Sequence, residues 1–137
     1  VIAAGGIADA NGVAAAMALG AAGVQMGTVY LLCPEATTTE LHRAALKSEA
    51  AQHTALTNVF SGGPARGIVN RAIRELGPLS ELAPLFPLAG TAMAPLRAAN
   101  EKTGSGDFSP LWSGQNNSGC KAISAFDLTR ELAAKIG

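Results

Sequence analysis

The chain opens on an apolar and polar alternation that predicts strand, helix, strand. Val1-Ile-Ala-Ala4 is a short apolar run ended by Gly5-Gly6, and Val13-Ala-Ala-Ala-Met17-Ala-Leu19 is a helical stretch that Asp9 or Asn11 can cap and Gly20 can end. A second short run, Gly23-Val-Gln-Met26, leads into Gly27-Thr28. Small alanines let the helix lie close against a sheet. In the second run Val24 and Met26 share one face and alternate with Gln25 and Gly27, so Gln25 is expected to point at whatever the sheet surrounds. Gly5 and Gly6 let a ligand approach with no Cβ in the way, and the following helix turns free N–H groups toward the strand end. With Gly27 and the Thr28 hydroxyl, two loops are suited to gripping one phosphate.

Beyond Tyr30-Leu-Leu-Cys-Pro34 the pattern changes. Thr37 to Glu40 offers a capping box for a helix Leu41–Lys47. Residues 54–60 favour extended structure and run into Ser61-Gly-Gly-Pro-Ala-Arg66-Gly67, read as a loop, after which a helix is expected from Ile68 to Leu76. Gly77-Pro78 stops it. Short helical turns are expected from Ser80 to Pro87, and a helix from Ala92 to Asn100. Residues 103–119 are rich in Gly, Ser and Asn, but Phe108 and Leu111-Trp112 mark a loop that docks rather than a linker. A final amphipathic helix, Leu128–Ile136, is expected with Asp127 as its cap. There is no internal repeat.

Composition narrows the class. A hydrophobic content of 48% against 15% charged residues belongs to a globular chain. Ten basic and ten acidic residues cancel, which leaves no electrostatic footprint for nucleic acid or an anionic membrane and points to small-molecule partners. Cys33 and Cys120 lie far apart and form no CxxC, arguing against zinc and against a disulfide framework; a reducing, cytoplasmic setting is expected. No apolar run reaches the roughly 18 residues of a membrane span. The chain starts at Val1 inside a strand pattern, which reads as the back part of a longer protein.

Three blocks carry a family resemblance: Gly5-Gly-Ile-Ala-Asp9 with Gly23-Val-Gln-Met-Gly-Thr28; Phe60-Ser-Gly-Gly-Pro-Ala-Arg66-Gly-Ile-Val-Asn70; and Leu111-Trp-Ser-Gly-Gln115. Together they resemble the C-terminal portion of nitronate monooxygenases, formerly called 2-nitropropane dioxygenases. The first block is shared with flavin-dependent enoyl-acyl-carrier-protein reductases; the other two are more characteristic of the nitronate enzymes. The resemblance implies an α/β fold that is the C-terminal part of a TIM (β/α)8 barrel, an incomplete barrel made of the last two βα units plus a helical C-terminal extension. A full barrel takes roughly 250 residues. Residues 1–52 would be the barrel units with the phosphate loops, and 53–137 a mostly helical extension with the docking loop. FMN would sit at the strand ends, held by Gly5, Gly6, Gln25, Met26, Gly27 and Thr28. Trp112, Ser113 and Gln115 would lie at the substrate pocket.

The implied reaction is oxidation of an alkyl nitronate or nitroalkane by O2 to a carbonyl compound and nitrite, with no nicotinamide. The family's catalytic histidine lies before the aligned region, so no residue here inherits that role, and the fragment alone is expected to be inactive. Partners would be the missing N-terminal barrel portion and, in a homo-oligomer, a second copy. The alternatives are an FMN-dependent enoyl-acyl-carrier-protein reductase and a non-catalytic FMN-binding remnant.

Plainer readings stand beside these. Gln25 also fits a satisfied core amide, Trp112 an anchor for the docking loop, and Arg66 and Asn70 partners of nearby carbonyls. His42 and His53 read as surface or capping histidines, and Met17, Met26 and Met93 as packing. Three departures from the family pattern stand out: Ala10-Asn11 in place of Gly-Arg, Gly63 in place of an arginine, and Asn116-Asn117 where a glycine is usual.

Overall fold

The computed structural model describes residues 1–136 and divides them into two compact units, one formed by 1–38 with 114–136 and the other by 39–113. The chain leaves the first unit after residue 38 and returns to it after residue 113.

The first unit is built on a βαβ turn. Strands β1 (Ile2–Ala4) and β2 (Gly23–Gln25) pair in parallel, Ile2 opposite Gly23 and Ala4 opposite Gln25. Parallel neighbours need a crossover, and α1 (Ala10–Ala18) provides it. Asp9 rather than Asn11 is the cap, its carboxylate accepting from Gly12 N at 2.8 Å. The second strand is shorter than expected: it stops at Gln25, and Thr28–Leu32 forms a 3-10 helix that buries Val29 and Leu32. The last helix, α5 (Ala125–Ala133), also starts earlier than its apolar pattern suggests. Ser124 is its cap, accepting from Asp127 N and donating from its hydroxyl to the Asp127 carboxylate, so Asp127 lies three positions inside the cap and steadies it. Leu128 and Leu132, one turn apart, close a core with Ala8, Val29 and Cys33, each leucine contributing about 1.5–3 kcal/mol by burial.

The second unit holds the larger surprise. Residues 65–67, expected in a loop, and Ile68, expected in a helix, form strand β4 (Ala65–Ile68), antiparallel to β3 (Thr54–Thr57). The stretch expected to be mostly helical therefore contains a hairpin, hidden from its turn-rich sequence because Gly67 is where another segment crosses. Ile68 N donates to Leu111 O and Ser113 N to Arg66 O, so Leu111–Ser113 lies along β4 as a third strand-like segment, and the docking loop does dock. A Cβ on Gly67 would sit 3.1 Å from Leu111 O. Helices α2 (Glu40–Leu46), α3 (Arg71–Leu76) and α4 (Ala89–Glu101) complete the unit. Thr39, not Thr37, caps α2. Asn70 caps α3 and is buried, its amide donating to Gly106 O and Ser109 O. Val59, Phe60, Ala72, Ile73 and Phe108 form the core.

Candidate cofactor-binding site

The two glycine loops follow β1 and β2 in the first unit, and parallel pairing puts the ends of these strands side by side. Gly5 and Gly6 have φ of +91° and +73°, a backbone that residues with a Cβ rarely adopt. Apart from its own chain neighbours, a Cβ placed at Gly5, Gly6 or Gly27 would meet no atom within 4 Å. The early N–H groups of α1 face the end that carries partial positive charge, and Asp9 satisfies only Gly12 among them through its side chain.

Thr28 is the hinge of the site. Its Oγ1 accepts from Gly114 N at 2.9 Å, and its carbonyl accepts from the Cys120 thiol at 3.1 Å. Burial, with a smaller contribution from Cys33, pushes the Cys120 thiol up to about 11, so the thiol keeps its proton and stays a donor at neutral pH. Asn116 Nδ2 donates to Gly6 O at 3.2 Å. Gln25 is exposed, and Met26 is half-buried against the core. Gln115, in this same unit, is exposed.

Trp112 and Ser113 belong to the second unit. The Trp112 ring meets Phe60 edge to face, centroids 6.0 Å apart, and Ser113 is buried. Trp112 pairs with Gly67 through the flanking bonds, which leaves its own carbonyl turned away from β4. His42 takes that carbonyl: its Nε2 lies 2.8 Å from Trp112 O, and because a carbonyl only accepts, the imidazole donates from Nε2. Desolvation lowers the His42 pKa from its ordinary value, and the bond to Trp112 offsets part of that fall. Arg66 donates to Thr54 O and Oγ1, an interior partner of the hairpin. A cavity of about 180 Å³ in this unit is lined by groups such as Val59, Leu76, Pro84 and Met93 and by no titratable side chain, so it brings no acid–base chemistry. Among the described residues there is no cluster of three or more potential metal ligands, and no helix is long and apolar enough to cross a membrane.

The sequence pattern thus located the open glycine loops but missed what fastens them. Gly114, Asn116 and Cys120 reach the loops from far along the chain. Asn116 had signalled itself only as a departure from a pattern.

Residues 1–135 match the family model for nitronate monooxygenase. The chain is similar to a nitronate monooxygenase from Pseudomonas aeruginosa, 39% identical over 99% of this chain and 39% of that protein. Among solved structures, nitroalkane oxidase from Streptomyces ansochromogenes superposes with a TM-score of 0.88 at 38% identity, covering 99% of this chain and 39% of that one. FabK from Thermotoga maritima gives 0.66 at 28% identity, over 98% of this chain and 43% of that one. The chain thus spans about two fifths of the length of the proteins it matches. A match across nearly every residue, together with the closer superposition on the nitroalkane oxidase, assigns the chain to the nitronate monooxygenase family.

Proposed function

We propose that this chain carries the FMN phosphate cradle of an enzyme that oxidises alkyl nitronates, or the nitroalkanes they come from, with O2 to a carbonyl compound and nitrite. One observation carries the reading. Gly5, Gly6 and Gly27 lie just past the paired ends of β1 and β2 with space for a Cβ open at each, whereas the equally open Gly20 and Gly23 lie away from those ends, after α1 and at the start of β2, and a Cβ at Gly119 would lie 1.9 Å from Ala8 O. The cradle glycines are therefore not demanded by packing inside the unit, and their open faces fit a phosphate that needs close approach to backbone N–H groups. The place of the chain as the last two βα units of a TIM barrel is supported by the parallel β1–β2 pairing and by the likeness to the nitroalkane oxidase; generic barrels hold phosphate at these strand ends.

When bound, FMN supplies the electron-accepting ring and its reactivity toward O2. The work of this chain is binding and orientation. The loop at Gly5-Gly6 and the start of α1 offer N–H groups and the positive end of a helix, a dipole contribution of about 0.3–1 kcal/mol per anion contact. Thr28 adds a hydroxyl proton, Gln25 an exposed amide, and Met26 and Gly27 their backbone. In the second unit Trp112 and Ser113 are assigned to the substrate side, as is Gln115 in the first. No side chain is assigned as the base: His42 spends its Nε2–H on Trp112 O, and His53 stands exposed at the end of the 3-10 turn Glu49–Gln52.

The test is oxygen uptake by the full-length protein carrying these residues, loaded with FMN and given a small alkyl nitronate without nicotinamide. Rapid uptake with nitrite release is expected. Absent uptake, with NADPH consumed in the presence of an enoyl thioester, would replace the nitronate reading by the reductase one and leave the FMN cradle standing.

A further inference from the structure

We propose that Gly114–Cys120 is a strap that sets the geometry of both glycine loops, with Asn116 as its positioning residue, so that preference for a phosphorylated flavin over riboflavin depends on residues outside the loops. The inference rests on the FMN reading above and adds to it the source of phosphate selectivity.

Three hydrogen bonds run from the strap to the loops, each with a directional consequence. Asn116 Nδ2 donates to Gly6 O. A peptide is planar and trans, so fixing the Gly6 carbonyl on the Asn116 side turns the N–H of Ile7 to the opposite side. The Asn116 side chain is itself held, its Oδ1 accepting from Ser118 N at 3.1 Å and Ser118 Oγ at 2.7 Å. Gly114 N donates to Thr28 Oγ1. A backbone N–H can only donate, so this bond uses a lone pair of the hydroxyl and leaves its proton to be given to an anion. Cys120 holds the Thr28 carbonyl, which by the same planarity sets the N–H of Val29. Between these bonds, Gly119 lies against the Ala8 peptide with no room for a Cβ, so the strap is seated along the first loop as well as tied to it.

A phosphate is recognised by several N–H and O–H groups converging on one point. Gly5 and Gly6 are the residues with the least intrinsic preference for any one conformation, and a loop built from them directs its N–H groups only if something else fixes its peptides. The strap supplies that. Its effect is on the phosphate end of the ligand, where riboflavin has no group to be held.

The experiment measures dissociation constants for FMN and for riboflavin, by quenching of flavin fluorescence, in the full-length protein and its Asn116→Ala variant, with thermal midpoints as a check on folding. The wild type is expected to prefer FMN. Asn116→Ala is expected to weaken FMN roughly three- to tenfold, the range of one lost hydrogen bond, and to leave riboflavin within about twofold. As a second arm, Thr28→Ser keeps the preference and Thr28→Val loses it. An unchanged FMN-to-riboflavin ratio in Asn116→Ala, or equal weakening of both flavins, overturns the strap while the FMN reading stands. A wild type that binds neither flavin, or both alike, removes the phosphate reading itself and the strap with it.

Discussion

Gly119→Ala offers the sharpest test of how the first unit is put together. The new methyl would lie 1.9 Å from Ala8 O, 2.8 Å from Ala8 C and 3.1 Å from a Val29 methyl. A Cβ essentially never comes within 3.0 Å of such an atom, so from 1.9 Å the two backbones must part by at least about 1.1 Å. Neither side yields cheaply. Ala8 is buried in the core with Val29 and Leu128 and precedes the α1 cap, while Gly119 precedes the cysteine that holds Thr28. Overpacking alone costs about 1–3 kcal/mol. If the strap lifts instead, the bonds from Asn116 and Cys120 go with it, at about 0.5–1.5 kcal/mol each. The expected loss is about 2–5 kcal/mol, read in the full-length protein as a lowered thermal midpoint. The comparison is Gly27→Ala, where φ is −116° and nothing stands near the added carbon; its stability should stay within about 0.5 kcal/mol of wild type while FMN binding falls, because the methyl enters the cradle. Thermal unfolding followed by circular dichroism reads the first effect and flavin titration the second. A Gly119→Ala protein whose unfolding free energy stays within about 0.5 kcal/mol of wild type would refute the close packing of strap on loop.

Two further outcomes follow from the second unit. Gly62 has φ of +86°, and a Cβ there would lie 2.3 Å from Phe86 N and 2.5 Å from Pro84 O, so Gly62→Ala combines αL strain with a backbone clash and should cost about 2–5 kcal/mol, read as a fall in the urea midpoint; an unchanged midpoint would contradict it. His42 titrates below its ordinary value in the folded chain because burial disfavours the imidazolium. The unfolded state then binds the proton more readily, so the contribution of His42 to stability is complete above the unfolded pKa of about 6.5 and is lost as pH falls through the lowered folded value. Urea midpoints at pH 7.5 and 5.0 should fall less in His42→Gln than in wild type; equal falls would show that the histidine is not the titrating group.

What the sequence displays is local. The βαβ turn was legible because glycines, a capping aspartate and an alanine-rich helix lie within a few residues of one another, and local propensity and tertiary packing agree there. At α5 the apolar spacing locates the helix but not its start, because Ser124 is the cap and Asp127, the more conspicuous capping residue, lies three positions inside and bonds to it. Strand β4 was illegible for the opposite reason. Pro, Arg and Gly at positions 64, 66 and 67 signal a turn, but the hairpin with β3 and the crossing of Leu111–Ser113 override that preference, as tertiary context does for short strands.

The candidate site divides along the same line. Two glycine loops can be read from the chain because backbone left uncovered, as the proposed phosphate cradle would need, is written in residue type. The groups that aim the loops carry no such mark. Gly114 and Thr28 are 86 residues apart, and Asn116 and Gly6 are 110 apart; each bond exists only because α5 and the segment before it return to the first unit after the whole of the second has intervened. A hydrogen bond from a side-chain amide to a glycine carbonyl fixes no residue type along the intervening chain, so no spacing rule reveals it. The consequence for the site is concrete. On the proposed FMN reading the phosphate-facing atoms would come from residues 5–28, while the bonds that tie those loops come from Gly114, Asn116 and Cys120. The early segment by itself would therefore keep its glycines and lose the contacts that orient them.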